Sequence, residues 1–335
     1  MDSKSSDDQD VSRDIPSGHT VRYQAIPQTD IDTEDLTFRI TTRGGIEDLL
    51  GSIQKTGLIQ PPVLIENPAG YTIVCGFRRI AACRKLGWTR ITARILEKSI
   101  DRFKTAQISI ADNALQRSLN LVETSRALNL LDDFGPDNQQ RREAAEALGL
   151  PVSESLSFAV KEICRLPLPV QEGILTDTIN LSMALELGGL EPLLAEALVR
   201  LFDQLKVGFN KQRELLLLLK EIAEREQITI PQLISEKPLQ EVLKTVEMDR
   251  AVKRQKVRSY LRQRRFPAIT EAETEYRKWV KQLKLGNNIN LIAPKDFEGN
   301  TFGMTLRFNN RQDLSELIKK IEEMIQHPAF GKILD

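Results

Sequence analysis

The stretch from Tyr71 to Gly87, YTIVCGFRRIAACRKLG, constrains the fold more tightly than any other part of the chain. Tyr71-Thr72-Ile73-Val74 combines β-branched and aromatic side chains suited to a pleated, half-buried surface, so it reads as a strand. Gly76 lets the backbone turn where a Cβ would obstruct it, and Ile80, Ala81, Cys83 and Arg84 then begin a helical period. Gly87 closes that helix as a C-terminal cap. Strand, turn and helix in immediate succession place the unpaired amides of a helix start beside Arg78 and Arg79. Such amides attract anions, and paired guanidinium groups can hold a polyphosphate through bidentate hydrogen bonds. Cations at a helix N-terminus otherwise oppose its dipole by about 0.3–1 kcal/mol. On spacing alone, arginines simply solvated in the first turn explain the pattern as well as a bound anion does.

Length permits two or three domains around this element: the chain has 335 residues, 41% hydrophobic and 28% charged, as expected of a soluble globular protein. Its 47 basic and 47 acidic side chains cancel, so a nucleic-acid surface has to come from uneven distribution of charge. Cys75, Cys83 and Cys164, with His19 and His327, form no spaced zinc-ligand set and no disulfide framework. No apolar run approaches a membrane span, and the opening MDSKSSDDQD lacks the hydrophobic core of a signal peptide. A cytoplasmic location with no membrane partner is the expectation.

Composition and periodicity divide the chain into segments. Residues 1–20 are polar and acid-rich and read as a disordered tail. Residues 21–100 read as a small α/β unit: Ile46, Leu49, Leu50 and Ile53 form a helical stripe, Val63-Leu64-Ile65 a strand, and Asn67-Pro68-Ala69-Gly70 a hairpin turn into Tyr71. Residues 101–240 are nearly all helical. Within them Arg141–Leu148, Gly149 and Ser153–Leu166 fit a helix-turn-helix, although an ordinary helical hairpin is the commoner arrangement for such a segment standing alone. Leu215 to Leu219 is core. Residues 241–285 form a basic helical connector in which Arg250, Lys253, Arg254, Lys256, Arg258, Arg262, Arg264 and Arg265 follow one another with no acidic residue between them. Uncompensated cations beside Tyr260 and Phe266 point to a polyanion, although a solvated helix face is the plainer reading. In residues 286–335, Ile289–Ile292 and Phe302–Phe308 are strand-like, and Asn310 with Asp313 starts a helix. One hairpin and one helix cannot enclose a core alone, so this unit packs on the body or, by preference, on a second copy of itself.

This order of parts resembles the ParB-type chromosome and plasmid partition proteins. Gly57-Leu58-Ile59-Gln60-Pro61 is similar to the family's GxxQP turn. Gly76-Phe77-Arg78-Arg79 is similar to its GERR box, and Asp112-Asn113-Ala114-Leu115-Gln116-Arg117, followed by Leu119-Asn120 and Glu123, to its ENxQR box. The resemblance implies an α+β, multidomain chain: a ParB/sulfiredoxin-like α/β N-terminal domain, an all-helical helix-turn-helix middle domain and a small ββα C-terminal domain. It implies a homodimer that binds CTP, with Mg2+, and clamps double-stranded DNA, often beside a ParA-type ATPase. Carried over, Gln60, Gly76, Arg78, Arg79, Asn113, Gln116 and Arg117 would contact the nucleotide and Asp112 the metal. Lys161, Arg254, Lys256, Arg258, Arg262, Arg264 and Arg265 are the candidate DNA contacts.

This sequence also departs from the family pattern. Phe77 replaces the glutamate of GERR, which argues for a binder over an efficient hydrolase. Gln116 and Arg117 sit one position late, a rotation of about 100° if they lie on a helix. The recognition helix, Ser153 to Arg165, carries Glu154 and Glu162 with only Lys161 before its end, whereas base-edge readers are usually Arg, Lys, Asn or Gln. A DNA-binding regulator that has lost the nucleotide switch is one rival. A sulfiredoxin-like enzyme using Cys75 is another, although a thiol inside a β-run is usually core.

Overall fold

The computed structural model describes residues 13–14, 20–42 and 44–334. The chain divides into two compact units, one ending at Val199 and the other beginning at Arg200.

The first unit begins with a six-stranded mixed sheet of order β1-β2-β6-β4-β5-β3. Its strands are β1 (Arg13–Asp14), β2 (Thr20–Pro27), β3 (Ile31–Asp32), β4 (Val63–Asn67), β5 (Gly70–Cys75) and β6 (Arg90–Leu96). Most of the expected tail lies outside the described residues, but Arg13 and Asp14 are strand and pair with Val21 and Thr20. β4 and β5 form the expected hairpin, with Asn67 opposite Gly70 and the Ala69 amide donating to Asn67 Oδ1 at 2.8 Å. Gly70 has a φ of +144°, and a Cβ there would stand 2.3 Å from the Asp30 carbonyl oxygen, so no other residue fits. Helices α1 (Glu47–Thr56) and α2 (Phe77–Lys85) cover the sheet. Ile26, Leu64, Ile73, Ile80, Ile91 and Ile95 make the dry interface between them, each side chain stabilising the fold by about 1.5–3 kcal/mol.

Helices then take over, as the periodicity predicts. α3 (Arg102–Ala114) packs against β5, and α4 (Leu121–Phe134) opens with a capping box between Asn120 and Glu123. α5 (Asn138–Ala147) ends at Gly149 in a doubly bonded C-cap, with Gly149 N–H donating to Glu146 and Leu150 N–H to Ala145. α6 (Glu154–Lys161) follows and continues as a 3-10 turn to Arg165, so the expected second helix is shorter than its sequence signal. α6 packs on α4. α7 (Leu168–Leu175) and α8 (Leu181–Gly188) complete the unit, and α9 (Pro192–Leu205) runs across the division.

The second unit contains α10 (Phe209–Glu226), α11 (Ile230–Ser235), α12 (Lys237–Lys244) and α13 (Arg250–Arg265). Leu215, Leu216, Leu218 and Leu219 are buried as expected of core, while Leu217 is exposed. Val257 and Leu261 are the buried residues of α13, which packs on α10 and α12. Pro267 starts α14 (Pro267–Leu283), followed by β7 (Ile289–Ile292), β8 (Gly303–Leu306), α15 (Arg311–Gln326) and α16 (Pro328–Leu334).

The terminal hairpin and helix do not stand alone, which corrects the expected boundary at residue 286. Their buried Leu285, Ile289, Leu291, Leu317, Met324 and Ile333 pack against Tyr276, Trp279 and Val280 of α14. The connector of residues 241–285 is therefore two helices with different allegiances: α13 sits on α10 and α12, and α14 supplies a wall of the C-terminal core. Asn310 caps α15 as read, its side chain accepting from the Asp313 amide at 2.8 Å.

Candidate nucleotide-binding site

β5 delivers the chain to Gly76, which has a φ of +91° and is the N-cap of α2. A Cβ there would stand 2.9 Å from Pro62 Cβ and 3.1 Å from Arg79 Nε, so the glycine also lets the turn close against the Gln60-Pro61-Pro62 strand approach. At the far end of α2, Gly87 N–H donates to Arg84 and Trp88 N–H to Cys83, the same doubly bonded cap as in α5.

The turn forms one wall of a cavity of about 510 Å³. Every expected nucleotide contact lines it: Gln60 from the approach to β4, Gly76, Arg78 and Arg79 from the turn, Asn113 from α3, and Gln116 and Arg117 beyond it. Asp112 lines it too. Phe38, Ile40, Leu49 and Val74 supply an apolar side. Phe38 and Ile40 were missed by the sequence reading; the signal was there in Thr37–Thr41, where buried Phe38 and Ile40 flank half-buried Arg39. The volume suits a nucleotide, and the combination of apolar walls with a few converging polar groups is that of a small-molecule site.

Neither arginine of the turn is merely solvated. Arg78 donates to the Gly45 carbonyl at 2.7 Å and pairs with Asp48 at 2.6 Å. That contact holds the Asp48 carboxyl below its ordinary pKa. Arg79 donates to the carbonyls of Gln60 and Pro61 at 2.9 and 3.2 Å and pairs with Asp112 at 3.0 Å. Asp112 is also approached by the side-chain amides of Gln60 and Gln116, each at 3.5 Å.

Among the described residues Asp112 is the sole carboxylate lining the cavity, and no cluster of three or more His, Cys, Asp or Glu could hold a metal ion. A magnesium ion would fit here only with Asp112 as its one protein carboxylate and phosphate oxygens as its remaining anionic ligands, an arrangement common for this ion.

The expected rotation of Gln116 and Arg117 on a helix does not apply, because α3 ends at Ala114: Gln116 lies in the turn after it, and the Arg117 amide donates back to the Asn113 carbonyl at 3.3 Å. Arg117 forms a bidentate pair with Glu123, both contacts at 2.7 Å. Glu123 is fully buried and accepts in addition from the backbone amides of Thr42 and Asn120 at 3.0 and 3.2 Å. Burial pushes its carboxyl upward in pKa, but the Arg117 contact and the two amides outweigh that and bring it to about 2. Glu123 thus ties the 37–42 loop, the cavity rim and the start of α4 together, whereas the sequence showed it only as part of the run that follows the Asp112–Arg117 box.

Cys75 is buried, its thiol 3.7 Å from the Ile108 carbonyl. Burial, and then the nearby Asp112 carboxylate, push its pKa well above that of a free thiol. It is a core residue, poorly suited to nucleophilic work.

The run on α13 differs from its expected uncompensated state. Arg258 pairs with Glu214 and Arg265 with Glu221, both on α10, at 2.6 and 2.7 Å. Arg262 pairs with Glu273 on α14 at 2.7 Å. Arg264 pairs with both Glu226 and Glu236, the second of which also accepts from Tyr260 at 3.1 Å. Arg254 donates to the Leu205 carbonyl at 3.2 Å, while Lys256 is exposed. The acidic partners lie on neighbouring helices, far away in sequence, where a local reading does not look. Lys161 likewise pairs with Asp132 of α4 at 2.7 Å.

Comparison with known proteins bears directly on the cavity-forming region. Residues 12–114 match the family model of the ParB N-terminal domain. A nucleoid occlusion protein from Geobacillus sp. (strain WCH70) is 31% identical over 169 residues, half of this chain and 54% of the relative. A probable chromosome-partitioning protein ParB from Treponema pallidum is 29% identical over 180 residues, 53% of this chain and 52% of the relative. The chain thus spans about half the length of the curated relatives it matches. A solved, C-terminally truncated chromosome-partitioning protein ParB from Caulobacter crescentus, complexed with CTP-gamma-S, is 23% identical and covers 54% of this chain and 98% of its own, at a TM-score of 0.25. So slight a superposition adds nothing to the domain assignment. No helix of the described residues is long and apolar enough to cross a membrane.

Proposed function

We propose that this chain is a nucleotide-binding DNA clamp of the partition or nucleoid-occlusion type, with CTP as its nucleotide. The observation that carries the reading is convergence: Gln60, Gly76, Arg78, Arg79 and Asn113, within the segment that matches the ParB N-terminal domain, line one cavity with Gln116 and Arg117 just beyond it. The relatives named for nucleoid occlusion and chromosome partition support DNA as the partner.

In this reading the first amides of α2, which have no intrahelical acceptor, face the phosphates with Arg78 and Arg79. Arg79 exchanges its Asp112 contact for a phosphate oxygen, which frees Asp112 for magnesium. Bound magnesium would neutralise charge on the triphosphate. Phe77 offers no carboxylate at the turn, so the site binds and releases its nucleotide with little hydrolysis. The pairs Arg78–Asp48 and Arg79–Asp112 favour a second reading, in which internal carboxylates have replaced the ligand and the protein is a DNA-binding regulator without a switch.

DNA contact is assigned to the helix-turn-helix of α5 and α6 and to the exposed Lys256 and Arg250, since the other arginines of α13 are engaged. Dimerisation is assigned to the C-terminal unit, where Ile318 and Ile325 leave an exposed apolar stripe on α15 and Met304 and Phe308 are exposed beside it in sequence. A ParA-type ATPase is the partner expected of the partition role. Calorimetric titration of the full chain with CTP, ATP and GTP, with and without DNA, tests the proposal. CTP binding that Arg79→Ala abolishes supports it, and failure to bind any of the three sinks it in favour of the regulator.

A further inference from the structure

We propose that a second cavity, on the other side of Phe77, is a binding site for a small phosphate-bearing anion. This cavity, of about 490 Å³, is lined by Arg39, Arg78, Arg84 and Lys85, with Ile73 and Phe77 among its apolar surface. None of its described lining residues is acidic.

The cations are poorly neutralised. Among the described residues Arg84 donates only to neutral oxygens, Thr33 Oγ1 at 3.0 Å and the Gln28 carbonyl at 3.3 Å. Lys85 is 4.0 Å from the exposed Glu47 carboxylate, at the outer limit of an ion pair. Arg78 alone has a close carboxylate, Asp48. Arg39 carries the strongest signal: its Nε is buried and has no acceptor among the described residues. Its charge also works, after burial, to lower the pKa of Arg126, so a second guanidinium feels the imbalance.

A buried charged donor without an acceptor, inside a group of like charges, is a costly arrangement that an anion would relieve. Planar guanidinium forks match the oxygens of phosphate and carboxylate alike, and several cations around one cavity suit the higher charge of a phosphate. The volume exceeds that of a single phosphate, and the Ile73 and Phe77 surfaces suit either a second phosphoryl group or an organic moiety. Phe77 and Arg78 line both cavities, so the phenylalanine that departs from the family box serves here as the partition between two anion sites.

Calorimetric titration with inorganic pyrophosphate and with phenyl phosphate tests the site directly, without CTP. The full chain carrying Arg79→Ala is used, because Arg79 belongs to the first cavity alone. Binding of at least one probe is expected, and Arg39→Gln or Arg84→Gln in the same background should weaken it by about 10-fold or more. Tighter phenyl phosphate assigns an organic phosphate, and tighter pyrophosphate assigns an inorganic one. If those variants do not fold, Lys85→Gln in the otherwise unaltered chain decides, with about a 3-fold weakening expected. Absence of binding, or binding indifferent to Arg39, Arg84 and Lys85, overturns the proposal. Loss of CTP binding by the first cavity would leave it standing.

Discussion

Arginines occur in two clusters that look alike in sequence and do opposite things in space. Arg78 and Arg79 sit at the start of α2, on the wall of a cavity whose lining includes one carboxylate, Asp112. Arg258, Arg262, Arg264 and Arg265 run along α13, and each meets a glutamate from α10, α14 or the start of α12. The denser cluster is therefore the one with less charge to offer a ligand. Density of basic residues along a chain measures potential only before the neighbouring helices are in place. Once they are, the relevant quantity is how many carboxylates share the same few ångströms.

That contrast can be broken or sharpened by substitution. The largest stability effect is expected at Glu123, whose removal strands Arg117 and the amides of Thr42 and Asn120: Glu123→Ala should lower unfolding free energy by about 2–4 kcal/mol, read by denaturant titration. Next, Arg79→Ala should weaken CTP binding by about 30-fold or more, since the lost contact is a charged one in a partly enclosed site. A loss under 3-fold would place Arg79 with the structural arginines. Arg264→Leu should destabilise the second unit by about 1–2 kcal/mol. It should leave the salt dependence of DNA binding unchanged, and a flatter dependence would return Arg264 to the nucleic-acid surface.

Acid should act on both units in the same direction. Glu123 and Glu226 have folded pKa values of about 2, the first through Arg117 and two amides against the pull of burial, the second chiefly through Arg264. Both lie below an unfolded glutamate near ~4.3, so the stability they contribute is present above that value and is lost as pH falls toward about 2. Stability measured from pH 6 down to pH 2 should decline through that window, and Glu226→Gln should make the decline shallower. The smallest effect is expected at Lys256, exposed on α13: Lys256→Gln should reduce the salt slope of DNA binding by about 1 and leave stability unchanged. An unaltered slope would remove α13 from the DNA surface.

Much of the first unit was legible in the chain because its signals are local. The Asn67–Gly70 turn, the Gly76 break and the caps at Gly87 and Gly149 each depend on a few adjacent residues, and each is present where expected. Cys75 could be assigned to the core from its place in a β-run, and it is buried. The terminal unit was legible in its elements but not in its partner: the hairpin and α15 needed further walls, and α14 and α16 supply them through Trp279, Tyr276 and Ile333. The rotation drawn for Gln116 and Arg117 on a helix fails for a local reason of a different kind. The helix they were expected to continue stops at Ala114, and the rotation argument stops with it.

By itself the sequence determined which segments are strand, which are helix and which glycines turn the chain, since those depend on backbone sterics and side-chain period over a few residues. Only the tertiary structure decided which charges remain available. Glu123 closing on Arg117, Glu226 and Glu236 on Arg264, and Arg39 Nε left without an acceptor among the described residues are outcomes of distance in space. Electrostatic interaction falls with that distance and is blind to separation along the chain.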